Sequence, residues 1–111
     1  MLEEVLYQIV TLEPSAAVVR ILPESPVYAA HFPGYPITPG VCLVQMGLEL
    51  LGKVTGRTCE LQGAKGIKFL SPVLPGPDVQ LRYVFSGAGP LWNADLFCAD
   101  ELCAKMTFTV R

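Results

Sequence analysis

A chain of 111 residues builds one core and not two, so a single domain over residues 1–111 is expected. A net charge of −2, a pI near 5.2 and the lack of any Lys/Arg cluster set nucleic acid aside as a partner. The start MLEEVLYQ carries acids where a signal peptide needs positive charge, and no apolar run approaches the roughly eighteen residues of a membrane span, so a cytoplasmic chain with no membrane association is expected.

Val5 to Leu12 is β-prone and stops at Glu13-Pro14-Ser15, after which Ala16 to Leu22 resumes as a second extended run, which predicts a hairpin. From Pro23 to Pro39 the chain holds five prolines, and a residue that fixes φ and removes a donor at this density predicts a structured loop. The only histidine, His31, lies inside it. Thr38-Pro39-Gly40 then opens a helix, with Thr38 as N-cap, Pro39 at the first helical position and apolar residues from Val41 to Val54. Thr55-Gly56 ends it. Gln45, Glu49 and Lys53 form a narrow polar stripe on this otherwise apolar helix, and Glu49 and Lys53 stand in the favourable order for a structural ion pair. Gly47 inside it predicts close packing.

The remainder reads as strands: Gly66 to Val73, then the alternating Val79 to Phe85, Leu91 to Cys98, and the alternating Leu102 to Val110. The last three follow one another through short turns, as in an antiparallel meander. One mostly buried helix among antiparallel strands is an α+β layout in which the sheet wraps around one central helix. Cys42, Cys59, Cys98 and Cys103 show neither CxxC spacing nor a histidine cluster, so no metal site is expected. Cys98 and Cys103, across a short turn, are the pair to examine for oxidation. An apolar fraction of 51% against 16% charged residues exceeds what one small core hides easily, and a dimer would cover the excess.

The segment HFPGYPITPG, His31 to Gly40, sets a lone imidazole shortly before a helix start. Unsatisfied N–H groups there polarise a thioester carbonyl, while an imidazole takes an α-proton. HFPGYPITPGVCLVQ, together with KFLSPVLPGPDV from Lys68 to Val79, resembles the bacterial β-hydroxyacyl-acyl-carrier-protein dehydratases of the FabZ/FabA type. The resemblance implies a hot-dog fold and a dimer whose two sites each use the histidine of one subunit and the helix acid of the other. It implies no cofactor and a substrate carried as an acyl-carrier-protein or acyl-CoA thioester. His31 matches the catalytic base and Gly40 the glycine whose N–H holds the thioester carbonyl, with Phe32, Pro39 and Val41 beside it in the substrate site.

At the position of the family's Glu or Asp this chain has Gln45. A neutral amide hydrogen-bonds a hydroxyl but delivers no proton, so the acid step is expected to be weakened. Glu49, one turn further on, is an alternative source of the acid through a shifted pose or a bridging water. The readings that follow are a dehydratase, a half-site subunit paired with a related chain in a heterodimer or higher oligomer, and an acyl-thioester hydrolase. Tyr35, Phe69, Leu70, Tyr83 and Trp92 are candidates to line an acyl tunnel. Arg57, Lys65 and Lys68 are candidates to dock an acidic carrier protein.

Overall fold

The structure, a computed structural model, describes residues 1–31, 34 and 36–111, with His31 described for its backbone only. The chain runs β1 (Tyr7–Glu13), β2 (Ala16–Ile21), α1 (Pro26–His31), α2 (Gly40–Thr55), β3 (Leu61–Phe69), β4 (Gln80–Ala88), β5 (Leu91–Cys98) and β6 (Glu101–Val110). The strands form one antiparallel sheet of order β1-β2-β4-β5-β6-β3, so the expected hairpin and meander are both present and β3 closes the far edge against β6.

The alternation of β4 and β6 aims Leu81, Tyr83, Phe85, Met106 and Phe108 at one face, where they are buried against Leu43, Met46, Leu50 and Leu51 of α2. Gly47 is a point of close approach to β4. A methyl there would lie 3.3 Å from the Tyr83 ring, whose hydroxyl donates to the Leu43 carbonyl at 2.7 Å. Gly47 and Tyr83 are therefore core packing rather than tunnel wall. Trp92, half-buried on β5, is held by its Nε1–H donating to the Gly89 carbonyl at 3.0 Å.

Three expectations are corrected. The proline-rich stretch contains α1, because Pro26 occupies the helix's first position, where no N–H is needed, and the Ser25 hydroxyl accepts from Val27 N–H at 3.3 Å. Thr38 is not the N-cap of α2. Pro39 takes that place in an extended conformation, while the buried Thr38 hydroxyl bonds that of Tyr28 at 2.8 Å. The strand expected over Gly66 to Val73 is shifted to Leu61–Phe69, and beyond it the Leu70 and Ser71 N–H groups both donate to the Cys103 carbonyl while the Ser71 hydroxyl donates to Glu101 at 3.0 Å. All four cysteines, Cys98 and Cys103 included, are free thiols.

At its other end α2 stops as expected: Gly56 adopts the left-handed conformation, φ 74°, with its N–H on the Gly52 carbonyl. The Arg57 N–H joins it at 3.0 Å, which draws the returning chain onto Gly52. A methyl at Gly52 would lie 2.6 Å from the Arg57 carbonyl oxygen. Alanine favours helix over glycine by about 1 kcal/mol, yet forcing this backbone apart costs about 1–3 kcal/mol, so Gly52→Ala is expected to lower the urea midpoint of unfolding rather than raise it.

Candidate functional site

His31, expected in a loop, has the backbone of the last residue of α1. Tyr28 on α1 and Thr38 before α2 share a buried hydrogen bond, and Thr38 N–H donates to the Val73 carbonyl at 2.8 Å. The second of these bonds joins the two sequence motifs, since Val73 belongs to the segment beginning at Lys68. They meet again where the Phe69 ring lies over Gly40, with its Cζ 2.6 Å from where a Cβ would stand. Glycine at position 40 is what admits the ring.

Between the motifs opens a cleft of about 360 Å³, with Gly40, Ile37, Leu43, Phe69, Leu70 and Val73 among its lining residues. Phe69 and Leu70, two tunnel candidates, are half-exposed along it. At the start of α2 the Cys42 and Leu43 N–H groups turn back to the Pro39 carbonyl. Among the described residues the N–H groups of Gly40 and Val41 have no acceptor. A helix start with two donors that lack an acceptor among the described residues, beside an apolar cleft, is suited to a polarised carbonyl carrying a hydrocarbon chain. Pro39 is buried beneath this point, and the Val41 side chain is 71% exposed at the first turn. The His31 side chain, Phe32, Pro33 and Tyr35 lie outside the described residues.

Gln45 lies one to two turns further along α2, and its amide nitrogen donates to Glu49 Oε2 at 3.0 Å. Glu49 is only 8% exposed, so of the polar stripe read from the sequence Gln45 and Lys53 reach solvent and Glu49 does not. The N-terminal turn covers it. Leu2 N–H donates to Oε2 at 2.8 Å, while Glu3 N–H at 3.1 Å and the Tyr7 hydroxyl at 2.8 Å donate to Oε1. Lys53 pairs with Glu3 at 3.6 Å instead of with Glu49. A second hollow, about 560 Å³, runs past Gln45, Glu49, Lys53 and Arg57 to Met1. Arg57, Lys65 and Lys68, the docking candidates, are all exposed.

Burial alone pushes the Glu49 carboxyl up, but the hydrogen bonds from Leu2, Gln45, Tyr7 and Glu3 outweigh it and hold the group below the usual carboxylate range. At neutral pH it has no proton to give. A carboxyl depressed by folding adds stability above its unfolded value, near pH 4.3, and that stability is lost as pH falls through the lower folded value. Urea midpoints measured from neutral pH down through this range are expected to fall more steeply in the parent protein than in Glu49→Gln.

A six-stranded antiparallel sheet wrapped on one long helix is the hot-dog architecture, with the cleft at the helix start as its distinctive feature. Residues 11–102 match the ApeI-like family, described as ApeI dehydratase, and the chain belongs to that family of hot-dog dehydratases. It is 31% identical, over 108 residues, to the 3-hydroxyacyl-[acyl-carrier-protein] dehydratase FabZ of Haemophilus influenzae strain PittEE, an alignment that spans 80% of this chain and 72% of that one. Among solved structures it superposes on the dehydratase heterocomplex ApeI:P from Xenorhabdus doucetiae with a TM-score of 0.71, 16% identity and 93% of each chain covered. A hypothetical thioesterase from Streptococcus pneumoniae TIGR4, solved with coenzyme A, shares the fold with a TM-score of 0.65, 16% identity, and 94% and 83% of the two chains covered.

Proposed function

We propose that this protein takes part in removing water from a β-hydroxyacyl thioester delivered by an acyl carrier protein. The observation that carries the reading is that the Gly40 and Val41 N–H groups at the helix start have no acceptor among the described residues, with Gly40 lining an apolar cleft built from both motifs. The thioester carbonyl accepts from them, which stabilises the enolate-like charge that develops when the α-proton leaves. His31 takes that proton, the Cα–Cβ double bond forms, and the β-C–O bond breaks. The departing hydroxyl needs a proton to leave as water, and Gln45 has none to supply. It comes from the imidazolium just formed on His31, or from a carboxyl of a second chain.

The second source favours a half-site subunit that completes its site with a related chain. Gln45 in place of the acid supports this reading, as does the likeness to one component of a dehydratase heterocomplex. The protein is incubated with a β-hydroxyacyl carrier protein, alone and with a co-encoded homologue, and the acyl group is followed by mass spectrometry. Loss of water supports dehydration, and loss that requires the homologue supports the half-site. Release of the free acid would replace both readings with thioester hydrolysis.

A further inference from the structure

Cys98 ends β5 and Cys103 lies inside β6, with the turn Ala99-Asp100 between the two strands. In an unbroken ladder they would be diagonal neighbours about 7–8 Å apart, and cysteines whose Cα atoms stand more than about 7 Å apart do not bridge without backbone movement. The ladder is broken here. Phe97 pairs with Leu102 and Leu96 with Ala104, so Cys103 is an extra residue with no partner on β5. Such a bulge re-aims the side chain it carries. The Cys103 Sγ turns back along the strand to 3.5 Å from the Glu101 carbonyl, where it meets both the backbone N–H and the thiol of Cys98. The two thiols differ in access. Cys103 is 2% exposed and burial pushes its thiol up, whereas Cys98 is half-buried and borders a hollow of about 580 Å³.

We propose that Cys98 and Cys103 form a redox modification site, which hydrogen peroxide converts to a reversible disulfide, and that closing the disulfide loosens one wall of the cleft. Cys98, the thiol that solvent reaches, attacks first: its sulfur bonds to one peroxide oxygen, the O–O bond breaks, and the other oxygen leaves with the thiol proton as water. The Cys103 sulfur then bonds to that of Cys98. The S–O bond breaks, and the departing hydroxide takes the Cys103 proton and leaves as a second water. Two electrons pass from the thiol pair to the peroxide. The Cys103 carbonyl transmits the effect, because it accepts from Leu70 N–H at 2.7 Å and Ser71 N–H at 3.2 Å, and both residues line the cleft with Gly40. In the sheet β6 lies between β5 and β3. Drawing Cys103 toward Cys98 on β5 therefore pulls its carbonyl away from the chain that leaves β3. The thiol chemistry is independent of the reaction proposed above.

The test treats the full chain with hydrogen peroxide and then with dithiothreitol, caps free thiols with iodoacetamide at each stage, and digests with trypsin. The fragment 83–105 carries Cys98 and Cys103 and neither of the other cysteines. It is expected to be capped at both before peroxide and at neither after it, with a mass about 2 Da below that of the uncapped fragment, and to be capped at both again after the dithiol. In Cys103→Ser the reaction should stop at the sulfenic acid of Cys98, which dimedone traps. In Cys98→Ser the loss of about 2 Da should not occur. Amide hydrogen exchange at Leu70 and Ser71 is expected to quicken by about tenfold in the oxidised parent, and to be the same in Cys98→Ser before and after peroxide. If a variant does not fold, the mass and exchange of the parent before and after the dithiol decide the matter. A fragment that keeps its mass, or gains only oxygen, would overturn the disulfide. A disulfide that forms while exchange at Leu70 and Ser71 stays constant would overturn its hold on the cleft.

Discussion

Gln45→Glu is expected to raise the rate of water loss from a β-hydroxyacyl thioester, measured on this chain alone, by about 10²-fold or more, the usual range for general acid catalysis being about 10²–10⁴. The new carboxyl would stand where the Gln45 amide now does, 3.0 Å from Glu49. Glu49 is held ionised by Leu2, Glu3 and Tyr7, none of which the substitution touches. Two carboxylates at this distance do not both ionise readily, so the more exposed new group keeps its proton to higher pH than an ordinary glutamate. It is thereby suited to protonate a leaving hydroxyl near neutrality. Single-turnover mass spectrometry measures the gain, and the pH–rate profile should acquire a falling limb at high pH as the new acid loses its proton. An unchanged rate in a folded variant would mean that the missing carboxyl is not what limits this chain.

His31→Ala is expected to act in the opposite direction, lowering water loss by about 10²–10⁴, whether the reaction runs in this chain alone or needs a second one. No other histidine is available to take the α-proton. Tyr28 and Thr38 join α1 to the start of α2 through their own buried hydroxyls, so the variant should retain its fold and its thermal unfolding midpoint. In a half-site assembly the comparison is sharper. Mixing His31→Ala with an intact homologue should leave the assembly formed but its water loss abolished if this chain supplies the base, and unchanged if the homologue does. The second result would remove His31 from the chemistry.

Strands with one buried face were legible because alternation is a direct imprint of burial: Leu81, Tyr83 and Phe85 on β4, and Met106 and Phe108 on β6, point inward as their spacing predicts. β3 was placed too late in the chain because it is an edge strand, largely exposed and interrupted by Gly63 and Gly66, so no face is marked by hydrophobicity. α1 is hidden by the proline-rich stretch around it, though Pro26, its one proline, sits at the first helical position, which tolerates it. At the site, the motif pointed to Gly40 and Gln45, but not to the meeting of the two motifs through Val73 and Phe69, which depends on how β3 returns beside α2. The clamp on Glu49 left almost no trace in the sequence. Two of its four donors are backbone N–H groups, which every non-proline residue carries, and MLEE reads simply as a charged leading end.

Met1 borders the hollow that holds Gln45, and the next two residues are bonded to the carboxylate behind it. An affinity tag joined ahead of Met1 therefore emerges beside the amide, at the short segment that covers Glu49. Rates measured on tagged protein are to be compared with those of material from which the tag has been cleaved.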